Sequence, residues 1–284
     1  MILRLATHAR LIYAPHFAAD ALGFFADRGL NVAFLTTGGD RTEAVVSGEA
    51  DVLVGNLWIA AHALQYGGPK LRPIGLCNSE CRYLVVKRRH DSPRPDWNAG
   101  AGAVILVPSN GPIPWVAVRA ALRRSAPKGA EHRVITGYDA EQCVREFKRG
   151  LGDYLVIDVE LAQDASLVEV AALADHLGSI PWSVYLTLEE VRSRKRPELE
   201  AFDEGVTAAK NWLAVHSTTE VATVMAERFS HLSDDERVSI LDRYSRLGIW
   251  SAPYRLPAQL VRRWIEILTD EGLVRSSIDF GALG

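Results

Sequence analysis

The chain has 284 residues and a net charge of −3, long enough for two domains, each with a sizeable core. Hydrophobic residues make up 48% and charged ones 24%, and Lys and Arg are interspersed with Asp and Glu, which excludes a basic face for nucleic acid. No apolar run approaches the ~20 residues of a membrane-spanning helix, so no direct membrane insertion is expected.

The N-terminus reads as a strand from the start. It lacks the positive region and long apolar stretch of a secretory leader. Three cysteines imply no disulfide framework. As written, the chain is expected in a reducing compartment, and in the periplasm if an export signal has been removed.

In chain order, a strand is predicted over 3–7. Phe17, Ala21, Leu22 and Phe25 give helical spacing up to Gly29, before a strand over 31–35. Asp40 caps a helix to Ser47, Gly48 stops it, and a buried strand follows over 52–54. A helix over 58–65 ends at Gly67-Gly68-Pro69, and strands follow over 72–76 and 83–87. This alternation argues a parallel, doubly wound α/β sheet. The loop over 91–102, rich in Pro, Gly, Asn and Asp, marks a lobe boundary. Beyond it come a strand over 103–107, a helix from Pro112 to about Arg124, a strand over 132–135, a helix over 140–149 and a strand over 154–157. A strand over 168–172 leads to the apolar segment Ile180-Pro181-Trp182-Ser183-Val184-Tyr185, which crosses back to the first lobe. Helices are predicted over 197–216, 218–230, 233–247 and 257–272.

One pattern occurs twice. Gly48-Glu49-Ala50-Asp51-Val52-Leu53-Val54 and Gly150-Leu151-Gly152-Asp153-Tyr154-Leu155-Val156 both read G-x-x-D-x-L-V, each downstream of a capping aspartate, Asp40 or Asp139. A capped helix stopped by Gly and followed by a buried strand, made twice, predicts two α/β lobes built alike that close on a small molecule.

Several segments together resemble one family. Tyr13-Ala14-Pro15 before Gly23-Phe24-Phe25 and Gly29-Leu30, the Gly48-to-Val52 corner, and the crossing at 180–185 before a helical tail are similar to the sulfonate, nitrate, taurine and thiamine-precursor binding proteins of ABC transporters. The resemblance implies a two-lobed periplasmic-binding-protein-like type II clamshell with C-terminal helices. Its lobes would be 1–88 and 89–178, with 179–284 returning to pack on the first. It also implies a small-molecule ligand and an ABC permease as partner. The wider fold includes enzymes, so a soluble decarboxylase, dehydratase or cofactor-precursor enzyme is the alternative. In the pyrimidine synthase of thiamine biosynthesis, the matching lysine and histidine fall here at Asn56 and Ala60, which speaks against that chemistry.

In open α/β sheets the ligand meets the residues just past the strand ends. That rule nominates His8, Tyr13, Gly38, Gly39, Asn56, Trp58 and Asn78 in the first lobe, Ser109, Asn110, Tyr138 and Asp158 in the second, and Trp182 at the crossing. The Thr37-Gly38-Gly39 and Ser109-Asn110-Gly111 loops precede helices and suit an anion, or serve as plain turns. Tyr13, Trp58, Tyr138 and Trp182 suit a flat ring, or pack a core, and Trp115 is expected in the core. Asp158 suits a ligand amine or a helix cap. His16 is expected in a loop. Cys77 and Cys81 lack partners at metal spacing, so no metal or cofactor is expected, and a Cys77 nucleophile paired with His8 or His62 is the enzymatic option.

Overall fold

Alternation makes the first strand: β1 (Ile2–Ala6) buries Leu3 and Leu5 and leaves Ile2 exposed. The computed structural model describes residues 1–36, 40–90, 96–99, 101–109, 111–277, 279 and 281–283. After β1 come a 3-10 turn (Leu11–Tyr13), α1 (Ala14–Ala21), a second 3-10 turn (Ala26–Arg28), β2 (Asn31–Leu35), α2 (Arg41–Val46), β3 (Val52–Gly55), α3 (Trp58–Gln65) and β4 (Leu71–Asn78). Then follow β5 (Tyr83–Arg88), β6 (Ala101–Leu106), α4 (Ile113–Ser125), β7 (Glu131–Ile135), α5 (Ala140–Lys148), β8 (Tyr154–Asp158), β9 (Leu167–Ala172) and α6 (Leu173–Leu177). The chain continues through β10 (Ser183–Leu188) into α7 (Glu189–Arg194), α8 (Arg196–Val215), α9 (Thr218–Met225), α10 (Asp234–Arg246) and α11 (Ala258–Asp270).

Caps set several of these boundaries. The Asp40 carboxylate accepts from the Thr42 amide at 2.8 Å, and Asp139 accepts from Gln142 at 2.7 Å in a capping box. Ser217 and Ser233 make the same box at α9 and α10. One boundary differs from expectation. The first helix ends at Ala21 rather than near Gly29, because Gly23 takes φ +77° and turns the chain.

The strands form two sheets, ordered β2-β1-β3-β10-β4 and β7-β6-β8-β5-β9. They belong to two compact units, Met1–Glu80 with Ile180–Gly284, and Cys81–Ser179. Neither sheet is wholly parallel, contrary to the alternation. In the first, β10 runs antiparallel to β3 and β4; in the second, β5 runs antiparallel to β8 and β9. These two strands arrive by the chain's passage from one unit to the other, not by a βαβ crossover, so the handedness rule for parallel neighbours does not bind them. The first change of unit falls between Glu80 and Cys81, not at 88/89, since β5 pairs only within the second sheet. The boundary expected over 91–102 thus falls within the range of the second unit, and its residues 91–95 and 100 lie outside the described residues.

The repeated motif is one structural device used twice. The Asp51 amide donates to the Arg4 carbonyl at 2.9 Å, and its carboxylate accepts from the Arg4 amide at 2.9 Å. Asp153 does the same to Val104, at 2.7 Å through its amide and 2.9 Å through its carboxylate. Gly48 and Gly150, at φ +78° and +108°, make the turn that brings each aspartate there. The following strand then pairs in matching register, Leu5 with Val52 and Ile105 with Tyr154.

Asp51 carries more than Asp153's backbone pairing. The Arg4 guanidinium grips it with Nη2 at 2.8 Å, Lys195 Nζ donates at 2.9 Å, and its own carbonyl accepts from the Thr187 hydroxyl at 2.7 Å. Burial alone would raise this carboxyl, but the bonds from Arg4 and Lys195 hold it below the usual carboxylate range. Its removal strands two cations around a buried gap. Asp51→Ala is expected to lower the unfolding free energy by about 2–4 kcal/mol, read by urea denaturation at pH 7. A loss below about 0.5 kcal/mol would show that the corner is not held this way.

Candidate functional site

At the carboxyl end of β3, one amide ties three elements together. Asn56 Oδ1 accepts from the Trp58 backbone amide at 2.9 Å and from the Trp264 indole at 3.1 Å, while its Nδ2 donates to the Trp182 carbonyl at 2.9 Å. The first bond starts α3, the second docks α11, and the third fixes the residue before β10. Trp182 is buried, its ring centroid 6.1 Å from that of Trp264. The structure thus brings Asn56, Trp58 and Trp182 together, with the two side chains of Asn56 and Trp182 committed to holding the scaffold. Trp264 was not nominated; inside an amphipathic helix its spacing is that of any core residue.

Two donors near these helix starts have nothing to bond. Among the described residues, Trp58 Nε1 and Arg41 Nη1 are shielded from water and lack a hydrogen-bond partner. The Trp58 ring lies 4.9 Å from His62. Arg41 also escaped nomination, although a signal exists: a cation in the first turn of a helix opposes the helix dipole, a placement that costs stability unless an anion compensates. Gly38, Gly39 and Asn110 lie outside the described residues.

The other first-unit candidates are placed as follows. Tyr13 is buried, with its ring stacked 5.7 Å from His16, and His8 is half-buried just past β1. Asn78 is fully buried; in the orientation that satisfies its amide, its nitrogen donates to the Cys77 and Ile12 carbonyls at 3.0 and 3.1 Å. His16 sits in α1 and not in a loop. It is fully buried, with Nε2 3.2 Å from the Thr7 hydroxyl and Nδ1 3.1 Å from that of Tyr185. Burial, with Arg228 adding to it, holds the imidazole well below its ordinary 6.5, so it is neutral at physiological pH.

Tyr185 extends this chain to the Cys77 thiol, which burial pushes up to about 11. A thiol that holds its proton is a poor nucleophile, so the Cys77 option loses its chemistry. Beside it, Lys210 Nζ donates to the Cys77 carbonyl at 2.9 Å and that of Leu76 at 3.3 Å. Among the described residues no carboxylate is among its hydrogen-bond acceptors, and burial lowers its pKa from 10.5 to about 8.

In the second unit, the Ser109 amide and hydroxyl both donate to the Tyr138 carbonyl, at 2.9 and 3.0 Å, which closes two strand-end loops on each other. Asp158 ends β8 with its carboxylate engaged: Arg82 Nε lies 2.5 Å away, and the Glu160 amide donates at 3.2 Å to cap the next turn. Trp115 is half-exposed, contrary to its expected place in the core, with the Arg119 guanidinium 5.3 Å over its ring.

No family model matches the chain. It is 24% identical over 261 residues to YtlA, a candidate binding protein of Bacillus subtilis (strain 168), a match covering 86% of this chain and 75% of that protein. Among solved structures it resembles the ligand-binding component of an ABC-type import system from Staphylococcus aureus with zinc bound. The TM-score there is 0.73 at 9% identity, covering 100% of this chain and 96% of that one. It also resembles the alkanesulfonate-binding protein SsuA from Xanthomonas axonopodis pv. citri bound to MOPS, with a TM-score of 0.71 at 14% identity, covering 100% and 98%. The fold is that of the two-lobed periplasmic binding proteins. Among the described residues, no group of three His, Cys, Asp or Glu side chains is placed to hold a metal, and no helix is long and apolar enough to cross a membrane.

Two tests follow from this geometry. Asn56→Ala leaves two donors and a carbonyl without partners and is expected to cost about 2–3 kcal/mol in urea unfolding, whether or not a ligand is present. For Lys210 the folded pKa lies below the unfolded one, so the folded state sheds its proton first and stability rises with pH above about 8. Between pH 7 and 9 the wild type is expected to gain about 1 kcal/mol relative to Lys210→Met. Parallel pH profiles for the two proteins would refute the assignment.

Proposed function

We propose that this protein binds a small polar organic solute, anionic or ring-bearing, such as a sulfonate or a pyrimidine precursor of thiamine, and serves an ABC-type uptake system. The observation that carries the reading is the pair of unspent donors, Arg41 Nη1 and Trp58 Nε1, at the helix starts after β2 and β3. A shielded donor without an acceptor costs about 1–3 kcal/mol, more when charged, and a bound acceptor group removes that cost. A guanidinium asks for an anion, an indole N–H for any oxygen. A sulfonate offers three oxygens and could meet both kinds of donor.

Position supports the same reading. Loops past the carboxyl ends of parallel strands are where open α/β sheets take ligands, and Arg41 and Trp58 stand on two consecutive ones. The similar Xanthomonas protein is named for alkanesulfonates and the Staphylococcus protein for ABC-type import. Tyr13 and His8 of the first unit are proposed as further contacts. Asn56, Asn78, Trp182 and Asp158 would act by holding the strand ends in place, since their polar groups already have partners.

A thermal-shift screen of sulfonates, pyrimidines and aromatic acids tests the proposal. A ligand at ~100 times its Kd should add ~2.7 kcal/mol of stability. With the ligand found, Trp58→Phe should leave the unliganded stability within about 0.5 kcal/mol and weaken binding about tenfold, because the lost N–H bonds only to the ligand. Unchanged affinity in both Trp58→Phe and Arg41→Gln would sink the assignment of this face.

A further inference from the structure

The second unit carries a groove that no step of solute binding uses. It is a cavity of about 350 Å³ between α4 and the edge strand β7, at the lower end of the size range of small-molecule sites. Trp115, Arg119 and Arg123 are spaced four apart on α4 and so form one stripe along its wall. Across from them, His132 faces in from β7 and Lys128 from the loop before it. Among the described residues no Asp or Glu lines the groove; Glu131 and Arg133 alternate to the other side of the strand.

We infer that this groove binds the phosphate group of a small molecule. Lys128 and His132 carry the assignment. Among the described residues, His132 Nε2 is shielded from water with no hydrogen-bond partner, and it opens on a wall whose charged side chains are all cations. Such a nitrogen, in its N–H tautomer, needs an oxygen acceptor. A phosphate offers three acceptor oxygens and up to two negative charges, which suits several donors converging from two elements better than a single carboxylate does. The Arg119 guanidinium stacked over Trp115 makes a flat wall beside them, and the groove has room for an organic group on the phosphate. This site is independent of the first-unit donors, and either assignment stands or falls without the other.

Inorganic phosphate and phenyl phosphate would be titrated separately into the full chain by calorimetry, at constant ionic strength set with chloride. The imidazole nitrogen resonances would be followed by NMR in parallel. Saturable heat is expected, with the His132 resonance moving along the same curve. Lys128→Ala and His132→Ala should each weaken binding about tenfold while unfolding at the temperature of the wild type. Tighter binding of phenyl phosphate assigns the groove to a phosphorylated organic molecule, and equal binding assigns it to the free ion. Heat that chloride reproduces, a stationary His132 resonance, or equal affinity in the double variant would each overturn the inference.

Discussion

The structure depends on a bond pattern made by one residue type at two equivalent places. An aspartate just before the third strand of each sheet pairs its amide and its carboxylate with a single residue of the neighbouring strand, Arg4 in one unit and Val104 in the other. Parallel strands cannot set their register with a short hairpin, and a slip of one residue would turn every core side chain toward water. Two bonds from one residue to one partner remove that freedom. The strand ends beyond, where Asn56 and Asp158 stand, are positioned as a consequence.

In the first unit the same aspartate is also where the C-terminal part of the chain is fastened. Lys195, at the start of α8, reaches its carboxylate, and Thr187, on β10, reaches its carbonyl. A second polar line runs through the interior behind it, from Thr7 through His16 and Tyr185 to Cys77, with Lys210 on the adjoining carbonyls. Buried groups of this kind contribute little net stability, since desolvation offsets their bonds. Their effect is to penalise any packing that breaks the chain of partners. The neutral His16 and the protonated Cys77 show the environment to be one that suppresses charge, a setting for structure and not for acid–base work.

That interior is not wholly paired, since the buried Ser79 and Tyr254 hydroxyls have no hydrogen-bond partner among the described residues, and further unpaired groups lie at strand ends and an edge. Arg41 and Trp58 in the first unit and His132 in the second have shielded nitrogens with no acceptor among the described residues. Each lies at a strand end or an edge, where a ligand can supply what the chain does not. The same physics that makes an orphaned donor costly in a core makes it informative at a surface.

Short-range chemistry was legible in the residues alone. The caps at Asp40 and Asp139, the glycine turns at Gly48 and Gly150, the alternation of β1 and the apolar crossing into β10 each act over a few neighbouring residues, so the sequence by itself determined the elements, their repetition and the return of the chain. What it left undetermined was partnership. That β5 pairs in the second sheet, that β10 runs antiparallel, that Asn56 is spent on Trp182 and Trp264 while Arg41 and Trp58 are left with free donors, all depend on groups far apart in the chain: 126 positions in the first bond of Asn56 and 208 in the second. Only the packed tertiary structure decided these, because whether a polar group is satisfied is a property of everything that surrounds it and not of its own neighbours along the backbone.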